Sequence, residues 1–148
     1  MELSDLYSQV IQEHNRSHHN KRTLNSPTVT VPGKNPSCGD EIELSLTLQD
    51  GIITDAAYTG FGCAISEASA SIMIDLIRGA EPERALRLST LFLRMIRRES
   101  LTGEEAELLG EAAALSGVAE LPARVKCAAM AWHTLQEALR ITQSLEGG

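Results

Sequence analysis

Aromatic residues are scarce in this 148-residue chain, which contains one Trp, two Tyr and two Phe. Hydrophobic residues still make up 43% of the sequence, so the core must consist mainly of aliphatic side chains, a composition that favours helices. No segment approaches the roughly 18 apolar residues that a membrane-spanning helix needs. The length fits one domain. We therefore expect a single domain over residues 1–148, with a frayed tail at residues 143–148.

Basic residues are also few, because 13 Lys and Arg stand against 20 Asp and Glu and the formal net charge is −7. An acidic chain repels nucleic-acid phosphates and anionic lipids. We therefore expect neither nucleic acid nor a membrane as a partner. The first residues carry acidic groups and lack the apolar segment of an export signal. These features predict a soluble protein of the cytoplasm.

Cysteine occurs only three times, and an odd number of thiols cannot all pair in internal disulfides. In a reducing compartment, functional cysteines usually bind metal or perform chemistry. The alternative for each of them is a structural role as a small buried hydrophobic residue. The sequence around each cysteine decides between these interpretations.

The hydrophobic pattern predicts one helix, then three strands, then further helices. Apolar residues at helical spacing indicate a helix over residues 3–15. Alternating segments predict strands at residues 28–31, 41–48 and 52–59, and Asp50-Gly51 predicts a tight hairpin turn. Helical patterns begin again near residues 63, 81, 103 and 121, with an interruption near Gly110. This order is typical of an α+β fold, in which helices pack on one face of a three-stranded antiparallel sheet.

The first cysteine lies in Asn-Pro-Ser-Cys-Gly-Asp at residues 35–40, directly before the most regular predicted strand. Gly39 permits backbone conformations that other residues resist. The thiol of Cys38 and the carboxylate of Asp40 can therefore converge on one ion. The alternative is a plain turn with an exposed cysteine.

The other two cysteines lie at predicted helix starts. Cys63 belongs to Gly-Phe-Gly-Cys-Ala-Ile-Ser at residues 60–66, where the positive end of a helix dipole favours the thiolate. Cys127 falls in the second turn of the last predicted helix, and the charges of Arg124 and Lys126 also favour a thiolate there. The alternative for Cys63 is a buried cysteine in a glycine-rich turn.

Cys38, Asp40, Cys63 and Cys127 together offer three thiolates and one carboxylate. Thiolates suit zinc, iron and iron–sulfur clusters. A structural zinc site more often uses four thiolates, or thiolates with imidazoles. The carboxylate therefore indicates a ligand that can leave and open a coordination position. Because the chain has no Cys-x-x-Cys pair, such a site must be assembled from distant loops.

The histidines give a weaker signal. His14 and His18 are four residues apart and would share a helix face if the first helix continued. No further ligand pair is near in sequence, so we expect His14, His18 and His19 at a solvated surface rather than in a second metal site. His133 lies six residues after Cys127, on a different face of the last helix, and is expected at the surface or the edge of the core.

Three motifs, in this order, resemble those of the U-type iron–sulfur cluster assembly proteins, the family of the IscU scaffolds and the SufU proteins. They are the two cysteine motifs at residues 35–40 and 60–66 and Pro-Ala-Arg-Val-Lys-Cys at residues 122–127, and the resemblance extends over about residues 3–142. Lys126, where IscU-like proteins usually have histidine, and the longer segment near residues 98–117 are SufU-like. Residues 15–20 depart from the SufU pattern because they lack its proline.

The resemblance implies an NifU N-terminal-like domain that binds zinc through Cys38, Asp40, Cys63 and Cys127. It also implies that Cys38 accepts persulfide sulfur from a SufS-like cysteine desulfurase, once a desulfurase residue has replaced it on the zinc. Arg124 matches a family residue that contacts the partner protein, and we expect Lys126 to belong to the same contact.

Two other functions stay open. The same residues can form a scaffold for iron or a transient [2Fe–2S] cluster, which would pass to downstream assembly or acceptor proteins. The third hypothesis is a structural zinc module without sulfur chemistry.

Overall fold

The structure, a computed structural model, describes residues 3–37 and 39–146. Its elements confirm the predicted α+β class. In chain order they are α1 (Leu3–Ser17), β1 (Val29–Asn35), β2 (Asp40–Gln49), β3 (Ile52–Phe61), α2 (Ala64–Ile77), α3 (Pro82–Ile96), α4 (Gly103–Leu109), a 3₁₀ segment (Gly110–Glu120) and α5 (Pro122–Glu146). In these described ranges, every helix is too short or too polar to cross a membrane.

The three strands form an antiparallel sheet in the order β1-β2-β3. Along β2, buried and exposed side chains alternate, and Ile42, Leu44 and Leu46 are each at most 1% exposed. One face of the sheet therefore packs on the core and the other faces solvent, as the alternation predicted. Asp50 and Gly51 join β2 to β3 with φ angles of 53° and 76°, which are those of a type I′ hairpin turn.

The long helix α5 packs on the buried face of the sheet, against β1 and β2, and α2 packs beside it. The approach of α5 to β1 is close at Gly33, where an added Cβ would lie 2.2 Å from Thr134 Oγ1. A side chain at position 33 would therefore push the helix away from the sheet. This close packing fixes the height of α5 above the strands.

A stacked aromatic pair joins the helices. Trp132 of α5 is fully buried and stacks on Phe92 of α3, with ring centroids 4.3 Å apart. Its Nε1–H donates to Ser69 Oγ of α2 at 3.0 Å. A single tryptophan thus holds α2, α3 and α5 together in a chain with few other aromatic side chains.

Between α3 and α5 the chain forms one short α-helix and then a 3₁₀ segment, rather than two regular helices. Thr102 and Glu105 cap α4 reciprocally, with N···O distances of 3.1 and 2.9 Å. Gly110 then takes a φ of 51°, and the chain continues as the 3₁₀ segment of 11 residues. The interruption near Gly110 is confirmed, whereas the 3₁₀ geometry was not predicted.

Helix α5 continues to Glu146, over part of the predicted tail, and residues 147 and 148 lie outside the described ranges.

Asp55 connects β3 to two neighbouring segments. Its Oδ1 accepts hydrogen bonds from Arg22 at 2.5 Å, from Arg78 Nε at 3.3 Å and from the N–H of Ala56 at 2.8 Å. The hydrogen bond from Arg22 is the main reason that the pKa of Asp55 lies below its ordinary value of 3.8. The ionised carboxylate therefore stabilises the folded state.

We predict that Asp55→Asn lowers the free energy of unfolding at pH 7. Because the folded-state pKa of Asp55 is below the unfolded value, its contribution is complete above the unfolded pKa and is lost as the pH falls through the folded pKa. The difference between wild type and variant should therefore shrink progressively as the pH falls below the unfolded pKa. Urea unfolding from pH 7 to pH 3 measures it, with Glu43→Gln on the solvent face of β2 as the control. A difference that is independent of pH would contradict this role.

Candidate metal centre

The three strands bring the candidate ligands to one end of the sheet. Pairing of Asn35 with Asp40 closes the β1–β2 hairpin, and pairing of Glu41 with Phe61 aligns the end of β3 beside it. Gly60 makes this approach possible, because its φ is 108° and an added Cβ would lie 2.2 Å from the carbonyl oxygen of Glu41. The register therefore places Asp40 next to the residues that follow β3.

Cys63 is the N-cap residue of α2, as its position between strand and helix predicted. Its Sγ accepts a hydrogen bond from the N–H of Ser66 at 3.4 Å and lies 3.3 Å from Ser66 Oγ. Burial acts to raise the pKa of the Cys63 thiol, but the hydrogen bonds with the Ser66 hydroxyl, the Ser66 N–H and Cys127 outweigh it. The net effect is a lowered pKa, which favours the metal-binding thiolate.

Asp40 is only 3% exposed and is held by donors from the start of α2. Its Oδ1 accepts from the N–H of Cys63 at 2.9 Å, and its Oδ2 accepts a short hydrogen bond from the hydroxyl of Ser66. These contacts tie the first residue of β2 to the first turn of α2. The carboxylate is therefore fixed beside the sulfur of Cys63.

Cys127 reaches the same place from α5. It is fully buried, and Asn35 Nδ2 donates to its Sγ at 3.8 Å. The ligand atoms of Asp40, Cys63 and Cys127 all lie within 4.8 Å of one another. The structure thus brings together three of the four predicted ligands, while Cys38 lies outside the described residues.

The chemistry of these donors fits a thiolate-binding metal. Zn–S distances near 2.3 Å and Zn–O distances near 2.1 Å place the ligand atoms of a tetrahedral zinc about 3.5 Å apart. The three ligand atoms lie within 4.8 Å of one another, so small side-chain movements are enough to close them on one ion. Zinc, iron and iron–sulfur clusters all accept this combination of sulfur and oxygen.

A cleft of about 510 Å³ opens beside Cys63, whose side chain is half-buried. Ser37 lines one side of the cleft, and Arg124 and Lys126 at the start of α5 line another. Both basic residues are exposed, and Phe61, just before the Gly62-Cys63 turn, is 60% exposed. The surroundings of Cys63 are therefore accessible and partly apolar, as contact with another protein requires.

The histidines are only partly where the sequence predicted. His18, His19 and His133 are exposed, but His14 is buried at 6% exposure, so the expectation of a solvated surface is wrong for it. Its ring lies between the hydroxyl of Ser71 in α2 and the carboxylate of a residue in the 3₁₀ segment. Those partners are remote in sequence, so the local pattern carries no sign of them.

Ser66 is the site residue that sequence reasoning missed. It is fully buried and contacts both Asp40 and Cys63. Its position three residues after Cys63 is the signal that could have found it. A side chain at the N-cap accepts from the N–H of the third helical residue, so a Cys63 cap places Ser66 against the sulfur.

Residues 6–143 match the family described as NifU-like N terminal domain. The zinc-dependent sulfurtransferase SufU of Bacillus subtilis (strain 168) is 41% identical over 135 residues, which cover 91% of this chain and 90% of that protein. The iron–sulfur cluster assembly scaffold protein IscU of Streptococcus pyogenes serotype M1 is 38% identical over 138 residues, with coverages of 93% and 85%.

Solved structures agree with these sequence matches. The SUF-system protein FiSufU of Fervidobacterium islandicum AW-1, described as an iron–sulfur cluster assembly scaffold, superposes with a TM-score of 0.85 at 31% identity, over 90% of this chain and 96% of that one. The sequence and the fold together show that the chain belongs to the NifU-like N-terminal domain family. Within this family it is similar to proteins that carry the names SufU and IscU.

We predict that Ser66→Ala weakens zinc binding by about 10- to 100-fold, because outer partners of metal ligands commonly contribute that much. The variant leaves Asp40 and Cys63 in place but removes the hydroxyl that orients both. Competition with a chromophoric chelator measures the affinity.

The matched control is Ser69→Ala, which removes another fully buried hydroxyl from α2, bonded to Trp132 and the carbonyl of Ala128. It should lower stability and leave zinc affinity unchanged. Equal zinc affinities of Ser66→Ala and wild type would contradict the assigned role, and so would equal losses in the two variants.

Proposed function

We propose that this chain is an iron–sulfur cluster assembly protein that accepts persulfide sulfur from a cysteine desulfurase. Cys38 is the acceptor, and Cys38, Asp40, Cys63 and Cys127 form the zinc site. The observation that carries the proposal is the convergence of Asp40, Cys63 and Cys127 beside an open cleft. The similarity to a protein named as a zinc-dependent sulfurtransferase supports it.

Zinc in this site would supply positive charge that keeps the cysteine ligands deprotonated. Cys38 belongs to the four-residue connection between Asn35 and Asp40. Within this connection Gly39 has a φ of 74° and donates its N–H to the carbonyl of Asn35 at 3.0 Å. The chain therefore turns back sharply between β1 and β2 at this end of the sheet.

Asp40 is suited to be the exchangeable ligand. A carboxylate is a harder and weaker ligand than a thiolate for zinc. When it leaves a metal, its charge must be stabilised by other groups, and the N–H of Cys63 and the hydroxyl of Ser66 already donate to it. Release of Asp40 therefore does not leave an uncompensated buried charge.

The sulfur transfer itself needs only a thiolate and a persulfide. Once a desulfurase residue takes its place as a zinc ligand, the thiolate of Cys38 would attack the terminal sulfur of the persulfide on the desulfurase cysteine. A sulfur–sulfur bond forms on Cys38 while the sulfur–sulfur bond on the desulfurase breaks, and the desulfurase cysteine leaves as a thiolate. The step exchanges one persulfide for another, so no external oxidant or reductant is consumed.

The cleft beside Cys63 is the surface proposed for the desulfurase. Arg124 and Lys126 present positive charge on one side, and Phe61 adds an exposed apolar side chain nearby. Exposed aromatic and arginine side chains are frequent energetic anchors of protein interfaces. The persulfide would then arrive next to the connection that contains Cys38.

A second candidate function is a scaffold that holds a [2Fe–2S] cluster as cargo. Two thiolates and a carboxylate converging at one point suit iron–sulfur clusters as well as zinc. The similarity to a protein named as an IscU scaffold favours this alternative. In that case a carboxylate ligand would make the cluster labile, which suits its transfer to downstream acceptor proteins.

We predict that the zinc-loaded protein, without iron, accelerates alanine formation by a SufS-like cysteine desulfurase given cysteine and a mild reductant. Cys38→Ala should remove the acceleration, since it removes the acceptor thiol. Ser144→Ala, at an exposed position near the far end of α5, is the control and should keep it. If zinc gives no acceleration, and iron instead restores function with cluster formation, the scaffold function replaces this proposal.

A separate prediction concerns the docking surface. The double variant Arg124→Ala with Lys126→Ala should raise several-fold the concentration of this protein that gives half-maximal acceleration of the desulfurase. The zinc content of the variant is measured in parallel, so that a weakened interface is distinguished from a weakened metal site. Arg140→Ala, at the far end of α5, is the control. An unchanged half-maximal concentration would remove the cleft from the interface.

A further inference from the structure

A second group of potential metal ligands lies at the other end of α2. His14 of α1, His19 of the following turn and Asp75 of α2 each offer one ligand atom, and these atoms all lie within 4.8 Å of one another. Asp75 is 12 residues beyond Cys63, which corresponds to about 18 Å along a helix. We propose that His14, His19 and Asp75 bind a divalent transition metal such as zinc, nickel or cobalt, separately from the cysteine centre.

His19 already has the geometry of a metal-binding histidine. Its Nε2 lies 3.0 Å from Asp75 Oδ2, and its Nδ1 lies 2.5 Å from the hydroxyl of Ser17. Metal-binding histidines usually have one ring nitrogen fixed by a hydrogen bond while the other faces the ion. The contact with Ser17 therefore orients His19 towards the position between it and Asp75.

His14 is the buried member of the group. Its Nδ1 lies 2.6 Å from the hydroxyl of Ser71, and its Nε2 makes a short contact with the carboxylate of Glu111. The two imidazole rings have centroids 5.2 Å apart. The imidazoles of His14 and His19 therefore lie side by side, and each contacts a carboxylate. A bound ion would replace these imidazole–carboxylate hydrogen bonds.

The donor set selects the class of metal. Imidazole nitrogens suit zinc, nickel, copper and cobalt, whereas magnesium and calcium prefer oxygen ligands alone. Glu111, whose carboxylate contacts His14 Nε2, is a candidate for a fourth ligand. Its side chain is 52% exposed, and those of His19 and Asp75 are 43% and 40% exposed. An ion can therefore enter from solvent.

A metal at this position would join three parts of the fold. His14 and His19 lie on or just after α1, Asp75 lies on α2, and Glu111 lies in the 3₁₀ segment. Helix α1 packs against both of these neighbours. Because an ion that binds only the folded state stabilises it, metal binding should raise the melting temperature of the whole chain.

The test uses the full chain without a polyhistidine tag, first given a single equivalent of zinc, which the thiolates of the cysteine centre bind in preference to the imidazoles. Titration with Co²⁺ should then show one further equivalent. Its weak visible bands should come without the intense sulfur-to-cobalt band that exchange at the cysteine centre would produce. The melting temperature should rise with cobalt. No desulfurase is needed, so the outcome is independent of the proposed function.

Variants at exposed ligands avoid the risk of unfolding the core. His19→Ala and Asp75→Asn should each abolish the extra equivalent and the rise in melting temperature, while His133→Ala, at an exposed histidine of α5, should retain both. No second equivalent at cobalt concentrations up to about 1 mM, the range of very weak binding, would overturn the site. Binding that survives His19→Ala and Asp75→Asn, or that is lost equally in His133→Ala, would also overturn it.

Discussion

The register of the antiparallel sheet is the constraint on which the metal centre depends. It sets Asp40 at the closed end of one hairpin and beside the last residues of β3. A slip of β2 by one residue would turn Asp40 to the solvent face and expose Ile42, Leu44 and Leu46. Burial of these three side chains therefore holds a carboxylate at a position that its own polarity would not select.

Where β2 contacts the start of α2, the same groups serve both folding and metal binding. Cys63 caps α2 through its sulfur, and Asp40 accepts hydrogen bonds from Cys63 and Ser66. The same hydrogen bonds hold the carboxylate of Asp40 beside the sulfur of Cys63. The fold therefore positions these ligands in advance, as the proposed exchange of metal ligands requires.

Local sequence was sufficient for β2, β3 and the place of Cys63, because strand alternation, the Asp50-Gly51 turn and a cysteine between strand and helix are short-range signals. It ended β1 at residue 31, whereas the strand continues to Asn35, because Pro32-Gly33 has the local pattern of a strand end and only pairing with β2 extends it. It was not sufficient for the position of Cys127, which depends on the packing of α5, and only the resemblance indicated that the motifs meet. The burial of His14 was missed because Ser71 and Glu111 are 57 and 97 residues away in sequence. The 3₁₀ segment was missed because tertiary packing decides between i−3 and i−4 hydrogen bonds.

The most direct test of the account is X-ray absorption at the zinc edge of the loaded protein. Zinc bound by these residues should have a mixed coordination shell, with sulfur at about 2.3 Å and a smaller oxygen contribution at about 2.1 Å. The sulfur contribution should fall in Cys63→Ser and in Cys127→Ser, and the oxygen contribution should change in Asp40→Ala. A shell of nitrogen and oxygen alone, or one that these variants leave unaltered, would contradict a metal centre at Asp40, Cys63 and Cys127.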